Sequence, residues 1–273
     1  MITYPNIDPV ALDLGFAKIH WYGITYLVAF AGSWLLLNYR VKLYQGSDRA
    51  PFLTPKFIED LLFFGALGVI LGGRLGYTLF YNFDNFIADP LTLIRIWQGG
   101  MSFHGGLLGV TLSLWWFAKK NKVSFLALMD EVAIVVPFGL ACGRMGNFIN
   151  AELWGRATDV PWAMVFPTDP LGLPRHPSML YEFFLEGVVL FIILWLYARK
   201  PRPKMSVASL FVLGYGLFRF AVEFVRQPDL HMGESGFIFG GWLTQGMILS
   251  LPMVLIGLFL FVWSYKGISN NKT

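Results

Sequence analysis

The sequence predicts an all-α integral membrane protein, folded as a bundle of seven transmembrane helices. Of its 273 residues, 56% are hydrophobic and only 14% are charged, and its mean hydropathy is +0.57. Soluble domains have a lower apolar share and about twice the charge. Glycine is abundant and ten-residue alternating segments are lacking, which argues against a transmembrane barrel.

Seven apolar stretches are each long enough, at about 20 residues, to cross a hydrocarbon core. In chain order they cover residues 19–38, 57–80, 101–118, 124–142, 179–198, 206–225 and 239–263. Asp8 and Asp13 stand where a signal peptide would carry positive charge, so we expect the first helix to be retained. We expect a single polytopic domain over residues 1–273, in which an outer loop region at about 143–178 joins helices four and five.

Loop charges predict the orientation. Basic residues occupy every second connection and the C-terminal tail: Arg40, Lys42, Arg49, Lys56, Lys119, Lys120, Lys122, Arg199, Lys200, Arg202, Lys204, Lys266 and Lys272. The alternate connections carry acids such as Asp84, Glu152 and Asp229. The positive-inside rule therefore predicts an N-terminus outside and a C-terminus in the cytoplasm. The pI of about 9.1 then reflects topology, and we predict no nucleic-acid partner.

The sequence contains no recognisable motif for binding a metal or a nucleotide. Cys142 is the only cysteine, which excludes an internal disulfide and a thiolate metal site. The four histidines have no two-histidine ligand spacing, and no phosphate-binding loop of the GxxxxGK[ST] kind occurs. We predict neither a metal nor a nucleotide cofactor.

Arginines outside the basic loops are the strongest functional signal. They are Arg74, Arg95, Arg144, Arg156, Arg175, Arg219 and Arg226. A central arginine in a spanning helix costs about 2.5 to 3.5 kcal/mol, so it usually faces a partner or a water-filled cavity. Its planar fork of donors suits phosphate oxygens. The pattern favours an anionic ligand on the outer side.

Tracing the helix directions brings most intramembrane polar groups to one leaflet. His104 lies just inside the outer end of the third helix, Arg144 ends the fourth, and Arg219 with Glu223 lies in the outer half of the sixth. Purely structural interpretations of these charged residues remain beside the functional one. Arg219 and Glu223 are spaced as a helical ion pair, and Arg74 could extend to the outer headgroups. Glycines at four-residue spacing predict close packing of helices two, three and four, at Gly68, Gly72, Gly76, Gly105, Gly109, Gly139 and Gly143.

One segment carries a family resemblance. Residues 143–150 read GRMGNFIN and are followed by Glu152 and Gly155. This run resembles the signature of the prolipoprotein diacylglyceryl transferases, bacterial enzymes that begin lipoprotein maturation. Further segments similar to the family are WYG at 21–23, HGGL at 104–107, RHPSMLYE at 175–182 and RFAVEFVRQPD at 219–229. Met179 and Gln227 depart from the residues expected in many members.

The resemblance implies transfer of an sn-1,2-diacylglyceryl group from phosphatidylglycerol to the lipobox cysteine of a prolipoprotein signal peptide. The product is a thioether, and glycerol 1-phosphate is released. It also implies a bacterial cytoplasmic (inner) membrane location, with membrane lipids as partners and the active site toward the outer leaflet. We expect Arg144 and Arg219 to stabilise the charge that develops on the phosphate.

The other site assignments follow the same resemblance. The predicted catalytic residues are His104, Arg144 and Arg219, and the predicted substrate-binding residues are Tyr22, Arg74, Arg144, Asn147, Asn150, Glu152, Gly155, Tyr215 and Glu223. The substrate thiol reacts as a thiolate, and either His104 takes its proton or the arginine field lowers its pKa. A different class of function, a transporter or channel for a small anion lined by arginines, would also use buried arginines. The gathering of arginines at one leaflet argues against it.

Overall fold

The computed structural model describes residues 2–95, 97, 99–228, 238 and 242–269. In this part of the chain the helices are α1 Trp21–Leu43, α2 Pro55–Tyr81, α3 Phe83–Ala88, α4 Phe103–Lys120, α5 Phe125–Ile149, α6 Ser178–Glu182, α7 Leu190–Tyr197, α8 Ser206–Glu223 and α9 Gln245–Ser269. A 3₁₀ turn covers Pro90–Leu93, and a π-helical stretch, here called the π segment, covers Phe183–Val189. The π segment joins α6 to α7 without a break.

Five short strands accompany the helices: β1 Ile2–Thr3, β2 Val10–Asp13, β3 Lys18–His20, β4 Met164–Val165 and β5 Pro174–Arg175. They form a three-stranded sheet in the order β1-β4-β5 and a hairpin of β2 with β3. In the sheet β1 runs parallel to β4 and β4 antiparallel to β5. The all-α prediction missed these strands because two to four residues are too few for a periodic signal.

Each predicted apolar stretch contains a long helix. Among the described residues, five helical runs are long and apolar enough to cross a membrane: Pro55–Tyr81, Phe125–Ile149, Ser178–Tyr197, Ser206–Glu223 and Gln245–Lys266. The protein is therefore a mostly helical, multi-pass membrane protein. The helices α1 and α4 are not among the five, so the count of seven spans stays a prediction, as does the orientation. Residues 239–241 of the last predicted stretch, and Asp229, lie outside the described residues.

The chain divides into two compact units. One comprises Met1–Leu36 and Met129–Thr273, and the other comprises Leu37–Leu128. The second unit contains α2, α3 and α4. The first contains the strands, most of α1 and α5, and the helices from α6 to α9.

Glycine-mediated packing holds α2 against α4 in the second unit. A Cβ on Gly72 would lie 2.3 Å from the carbonyl oxygen of Gly105, and a Cβ on Gly109 would lie 2.2 Å from that of Gly68. Only glycine permits this approach. The predicted packing is thus confirmed for these two helices, whereas a Cβ on Gly139 or Gly143 of α5 would meet none of the described residues within 4 Å. The prediction for α5 is wrong in that respect.

Capping residues set where the helices begin. Thr54 precedes α2 and accepts from the Phe57 amide at 3.2 Å, and Ser102 precedes α4 and accepts from Gly105 at the same distance. In the first unit, Asp130 of α5 accepts from the amides of Met205 at 2.6 Å and Ala208 at 2.8 Å. This carboxylate therefore ties the start of α8 to α5.

The end of α5 differs from the prediction. The sequence predicts that the fourth span ends at residue 142 and that Arg144 ends the helix, but the helix continues to Ile149. Its last carbonyls find a partner, since the hydroxyl of Tyr4 donates to Phe148 at 2.7 Å and Ile149 at 3.0 Å. Polar side chains in these turns are also paired, as described below. The predicted outer loop therefore begins about seven residues later than expected.

Candidate functional site

Three helix ends meet in the first unit and bring polar side chains together. The last turns of α5, the junction of α6 with the π segment, and the last turn of α8 contribute to this region. Gly187 allows the π segment to lie directly against α5, because a Cβ there would be 2.6 Å from the Cβ of Ala141. Arg144 lies one turn beyond Ala141, so this packing delivers it to Glu186 and Glu182.

The centre of the region is a set of ion pairs. We call it the arginine–glutamate cluster, comprising Arg144, Glu182, Glu186, Arg219, Glu223 and Arg226. Glu182 Oε2 lies 2.8 Å from Nε of Arg144, and Glu182 Oε1 accepts from Nη1 of Arg219 at 2.7 Å. Nη2 of Arg219 lies 3.0 Å from Glu223 Oε2, and Nε of Arg226 lies 3.9 Å from Glu182 Oε1. The short distances are those of charge-assisted contacts.

Within the cluster the acids are buried and the arginines are partly open. The side chains of Glu182 and Glu186 are 1% and 0% exposed, whereas those of Arg144 and Arg219 are 19% and 12% exposed. Three carboxylates face three guanidinium groups, so the formal charges balance. The guanidinium donors are partly accessible, and the buried carboxylates lie against them and hold them in place. This arrangement is suited to binding an anion.

Glu223 also contacts residues at the start of α9. Its Oε1 accepts from the hydroxyl of Thr244 at 3.0 Å, just before α9 begins. Gly246 makes room for this carboxyl, because a Cβ there would lie 2.5 Å from Cδ of Glu223. The helical spacing of Arg219 and Glu223 left an ion pair open as an alternative to a functional role, and the structure contains the pair.

The signature residues at the end of α5 form a connected network. Nη1 of Arg144 donates to Oδ1 of Asn147 at 3.4 Å, and Nδ2 of Asn147 donates to Glu152 Oε1 at 2.8 Å. Nδ2 of Asn150 reaches the same carboxylate oxygen at 3.3 Å. Oδ1 of Asn150 is buried and has no hydrogen-bond partner in the described part of the chain. Glu152 thus fixes both amides, and through Asn147 it reaches Arg144.

Two tyrosines border this network. The ring of Tyr22 lies against α5, where a Cβ on Gly146 would be 2.8 Å from its Cδ2. Its hydroxyl is 3.4 Å from that of Tyr26. Tyr215, one turn before Arg219, interacts electrostatically with Glu186 and Arg144. The structure therefore brings both predicted tyrosines to the region of the cluster.

Gly155 has a packing role in the structure. A Cβ there would lie 2.4 Å from the carbonyl oxygen of Val225 and 2.8 Å from Cβ of His176. The neighbouring Arg156 donates to the carbonyls of Arg226 at 2.9 Å and Glu223 at 3.1 Å. This segment therefore caps the end of α8. Burial of the His176 ring, together with the positive charge of Arg156, lowers the pKa of His176 below its ordinary value.

A buried ion pair stiffens the connection between α5 and α6. Nε and Nη2 of Arg175 donate to the two oxygens of Asp169 at 2.8 Å and 3.0 Å. The guanidinium also lies over the ring of Trp154 at 4.1 Å. Arg175 lowers the pKa of the Asp169 carboxyl by hydrogen bonding to it. Arg175 is thereby paired within the loop.

The remaining two predicted residues belong to the second unit. His104 is exposed in the first turn of α4. Arg74 is 5% exposed, and it donates to the backbone carbonyls of Thr92, Leu93, Arg95, Gly99 and Gly100. An arginine has five N–H donors, so these bonds use the whole guanidinium. Arg74 therefore anchors the segment after α3 and does not extend to headgroups, and no N–H is left for a lipid phosphate in this conformation.

Glu182, Glu186 and Arg226 were not assigned a catalytic or substrate-binding role from the sequence, although Arg226 belongs to the predicted functional arginines and the two glutamates to the intramembrane polar groups expected at one leaflet. The two glutamates are four residues apart in an apolar run, which was the available signal. Arg144, which pairs with both glutamates, lies on another helix, 38 residues from Glu182 and 42 residues from Glu186 in sequence, and no local pattern reveals such pairing. Among the described residues, no group of three or more His, Cys, Asp or Glu side chains could hold a metal ion.

Fold and site together define a multi-pass membrane protein with a partly open, arginine-lined site at its helix ends. Residues 9–263 match the family model described as prolipoprotein diacylglyceryl transferase. The chain is 58% identical over 266 residues to the phosphatidylglycerol–prolipoprotein diacylglyceryl transferases of Pseudomonas paraeruginosa and Ectopseudomonas mendocina, and the first alignment covers 97% of both chains. It is 55% identical to that of Pseudomonas putida, again over 97% of both chains. The chain belongs to the prolipoprotein diacylglyceryl transferase family.

Proposed function

We propose that this protein transfers the sn-1,2-diacylglyceryl group of phosphatidylglycerol to the lipobox cysteine thiol of a prolipoprotein, in the first step of bacterial lipoprotein maturation. Family membership and the names of its relatives support this activity. The observation that carries the mechanism is the pair of partly exposed guanidinium groups, Arg144 and Arg219, set on the buried Glu182.

The reaction exchanges one bond at a glyceryl carbon. The cysteine sulfur attacks that carbon and forms a thioether, while the bond from the carbon to the phosphate oxygen breaks. The phosphate leaves with the bonding electrons as glycerol 1-phosphate. Negative charge therefore grows on the phosphate, and fixed donors in a site with little water stabilise it strongly. Arg144 and Arg219 supply those donors.

The thiol proton needs an acceptor, since the thiolate is the nucleophile. His104 is our proposed general base, because imidazole exchanges protons near neutral pH. The alternative is that the positive field of the arginines lowers the thiol pKa without a dedicated base. A pH profile distinguishes the two, as set out in the Discussion.

The signature network is our proposed headgroup subsite. Tyr22, Asn147 and Asn150 supply hydroxyl and amide groups suited to the glycerol hydroxyls, and the buried Oδ1 of Asn150, which has no partner among the described residues, is an unused acceptor. Glu152 orients the two amides. Tyr215 and Glu223 border and hold the arginines. Gly155 contributes through packing, and Arg74 through the segment it anchors.

The membrane arrangement belongs to the same proposal. We infer a single polytopic domain with seven spans, an N-terminus outside and a C-terminus in the cytoplasm, from the alternating loop charge. The site then faces the outer leaflet of a bacterial cytoplasmic (inner) membrane. Its partners are phosphatidylglycerol, other membrane lipids and prolipoprotein signal peptides, without nucleic acid.

The test is a direct assay in detergent. Purified protein is incubated with phosphatidylglycerol and a lipobox peptide, and the peptide mass is measured together with released glycerol 1-phosphate. We expect a diacylglyceryl mass shift on the cysteine that disappears in Arg144→Ala and persists in Arg202→Ala, an exposed arginine on the Tyr197 ring. A folded wild type that forms no product would overturn the proposal and direct attention to anion flux assays.

A further inference from the structure

Glu182 is the shared partner of the two arginines that the proposed function places on the phosphate. Arg144 comes from α5 and Arg219 from α8, and each guanidinium lies within 2.8 Å of a different oxygen of this one carboxylate. Arg226 lies 3.9 Å from the same group. The relative position of the two guanidinium groups therefore depends on Glu182.

Glu186 provides the internal comparison. It lies four residues further along the same helical run and its side chain is 0% exposed, as buried as Glu182. It pairs with Nη2 of Arg144 at the longer distance of 3.7 Å. Glu182 forms ion pairs with both Arg144 and Arg219, at 2.8 Å and 2.7 Å. The two acids therefore share charge and depth, and differ in how closely they contact the two arginines.

Two features of the backbone near Glu182 fix the position of this residue. It is the last residue of α6, and the π segment begins at the next residue. Such π-helical turns are rare in proteins, and those that occur often lie at functional sites. Gly187 in the π segment packs against Ala141 of α5, which fixes the distance to the helix that carries Arg144.

We propose that Glu182 is a positioning residue for the diacylglyceryl transfer, holding Arg144 and Arg219 at the spacing that the phosphate requires. This inference rests on the proposed function. In the free enzyme the carboxylate lies between the two guanidinium groups and attracts both. It also prevents either arginine from adopting a different rotamer before the lipid enters. Its effect on the reaction is transmitted entirely through the two guanidinium groups.

The consequence for catalysis is a specific kinetic signature. Glu182→Gln keeps the shape of the side chain but presents an NH₂ group to one of the guanidinium donors, so one arginine loses its acceptor. Displacement of a catalytic group by about 1 Å can cost about 100-fold in rate. Charge grows on the phosphate in the transition state, so we expect the loss in kcat and little change in KM.

The experiment compares Glu182→Gln with Glu59→Gln, at an exposed position of α2 outside the site, in the purified full-length enzyme, using phosphatidylglycerol and a lipobox peptide. We expect kcat to fall by about 100-fold in the first variant and by less than about threefold in the second, with KM for the lipid within about threefold in both. Melting temperatures are measured for both variants alongside the kinetics. Equal losses in the two variants, or a wild-type kcat in Glu182→Gln, would overturn the inference.

A second variant covers the case in which Glu182→Gln does not fold. Glu182→Asp keeps the charge and shortens the side chain by one methylene group, so it reaches only one arginine well. We expect it to fold and to lose kcat by at least about tenfold, and full activity would exclude a positioning role. An inactive wild type would instead remove the proposed function itself, and this inference with it.

Discussion

Gly155 approaches the carbonyl oxygen of Val225 so closely that a Cβ would lie 2.4 Å from it. The backbone is held in that contact from both sides, since Gly155 donates to His176 at 2.8 Å and the next amide donates to Val225 at 2.8 Å. The connection from α5 is thereby locked to the end of α8, which carries Arg219 and Glu223. A glycine of the signature thus acts by allowing two backbones to meet.

Alanine at this position should separate the two segments. We expect Gly155→Ala to reduce the free energy of unfolding by about 1–3 kcal/mol, the usual cost of overpacking, and to abolish most of the transfer activity. Gly143→Ala is the matched control, because a Cβ at Gly143 meets none of the described residues within 4 Å. Thermal unfolding in detergent and the peptide assay measure the two effects. Equal behaviour of the two variants would contradict the packing role.

The buried pair of Asp169 and Arg175 predicts acid sensitivity of the connection between α5 and α6. Arg175 holds the pKa of Asp169 below its ordinary value of 3.8. A carboxyl whose pKa is lower in the folded state adds stability above its unfolded pKa, and this is lost as the pH falls through the folded pKa. We therefore expect the wild-type melting temperature to decrease steeply below about pH 4.

Removing the charge should reproduce that loss at neutral pH. Asp169→Asn leaves Arg175 buried without its counter-ion, which costs about 3–5 kcal/mol. Its melting temperature at pH 7 should be lower than that of the wild type and should change less between pH 5 and pH 3. Asp159→Asn, at an exposed position, serves as the control. A wild-type melting temperature for Asp169→Asn at pH 7 would show that the pair does not stabilise the connection.

The contact between α2 and α4 makes a prediction for the second unit. A Cβ on Gly72 would lie 2.3 Å from the Gly105 oxygen and 2.6 Å from Cα of Gly109, both backbone atoms that cannot turn aside. Gly72→Ala should therefore lower the free energy of unfolding by about 1–3 kcal/mol. At Gly65, on the same helix, a Cβ meets none of the described residues within 4 Å, so Gly65→Ala should be neutral. Melting temperatures in detergent measure the difference, and a stable Gly72→Ala would refute the close packing.

Arg74 allows its structural and ligand-binding roles to be separated. Lysine keeps the charge but offers three donors in place of five, so it cannot hold the five carbonyls. We expect Arg74→Lys to lower the melting temperature while the KM for phosphatidylglycerol stays within about threefold of the wild type. Arg95→Lys, in a pair with the partly exposed Asp89, is the control. A large increase in KM without loss of stability would favour the predicted substrate role.

Local patterns were sufficient for the helices and indicated one ion pair. Apolar length predicted where each long helix lies, and four-residue spacing indicated the pair of Arg219 with Glu223 as an alternative to a functional role. The end of α5 was misplaced, because the hydroxyl that donates to its last carbonyls comes from Tyr4, far away in sequence. Long-range partners likewise explain why the ion pairs of Glu182 and the carbonyls around Arg74 were not predicted.

The role of His104 can be decided by kinetics over a range of pH. A general base must be unprotonated, so the rate of an enzyme that uses one falls on the acid side of its profile. If His104 takes the thiol proton, His104→Gln should lower kcat by about 10²- to 10⁴-fold and remove that acid limb. His20→Gln, at an exposed position in β3, should retain both the rate and the limb. Retention of the wild-type acid limb in His104→Gln would instead assign activation of the thiol to the field of Arg144 and Arg219.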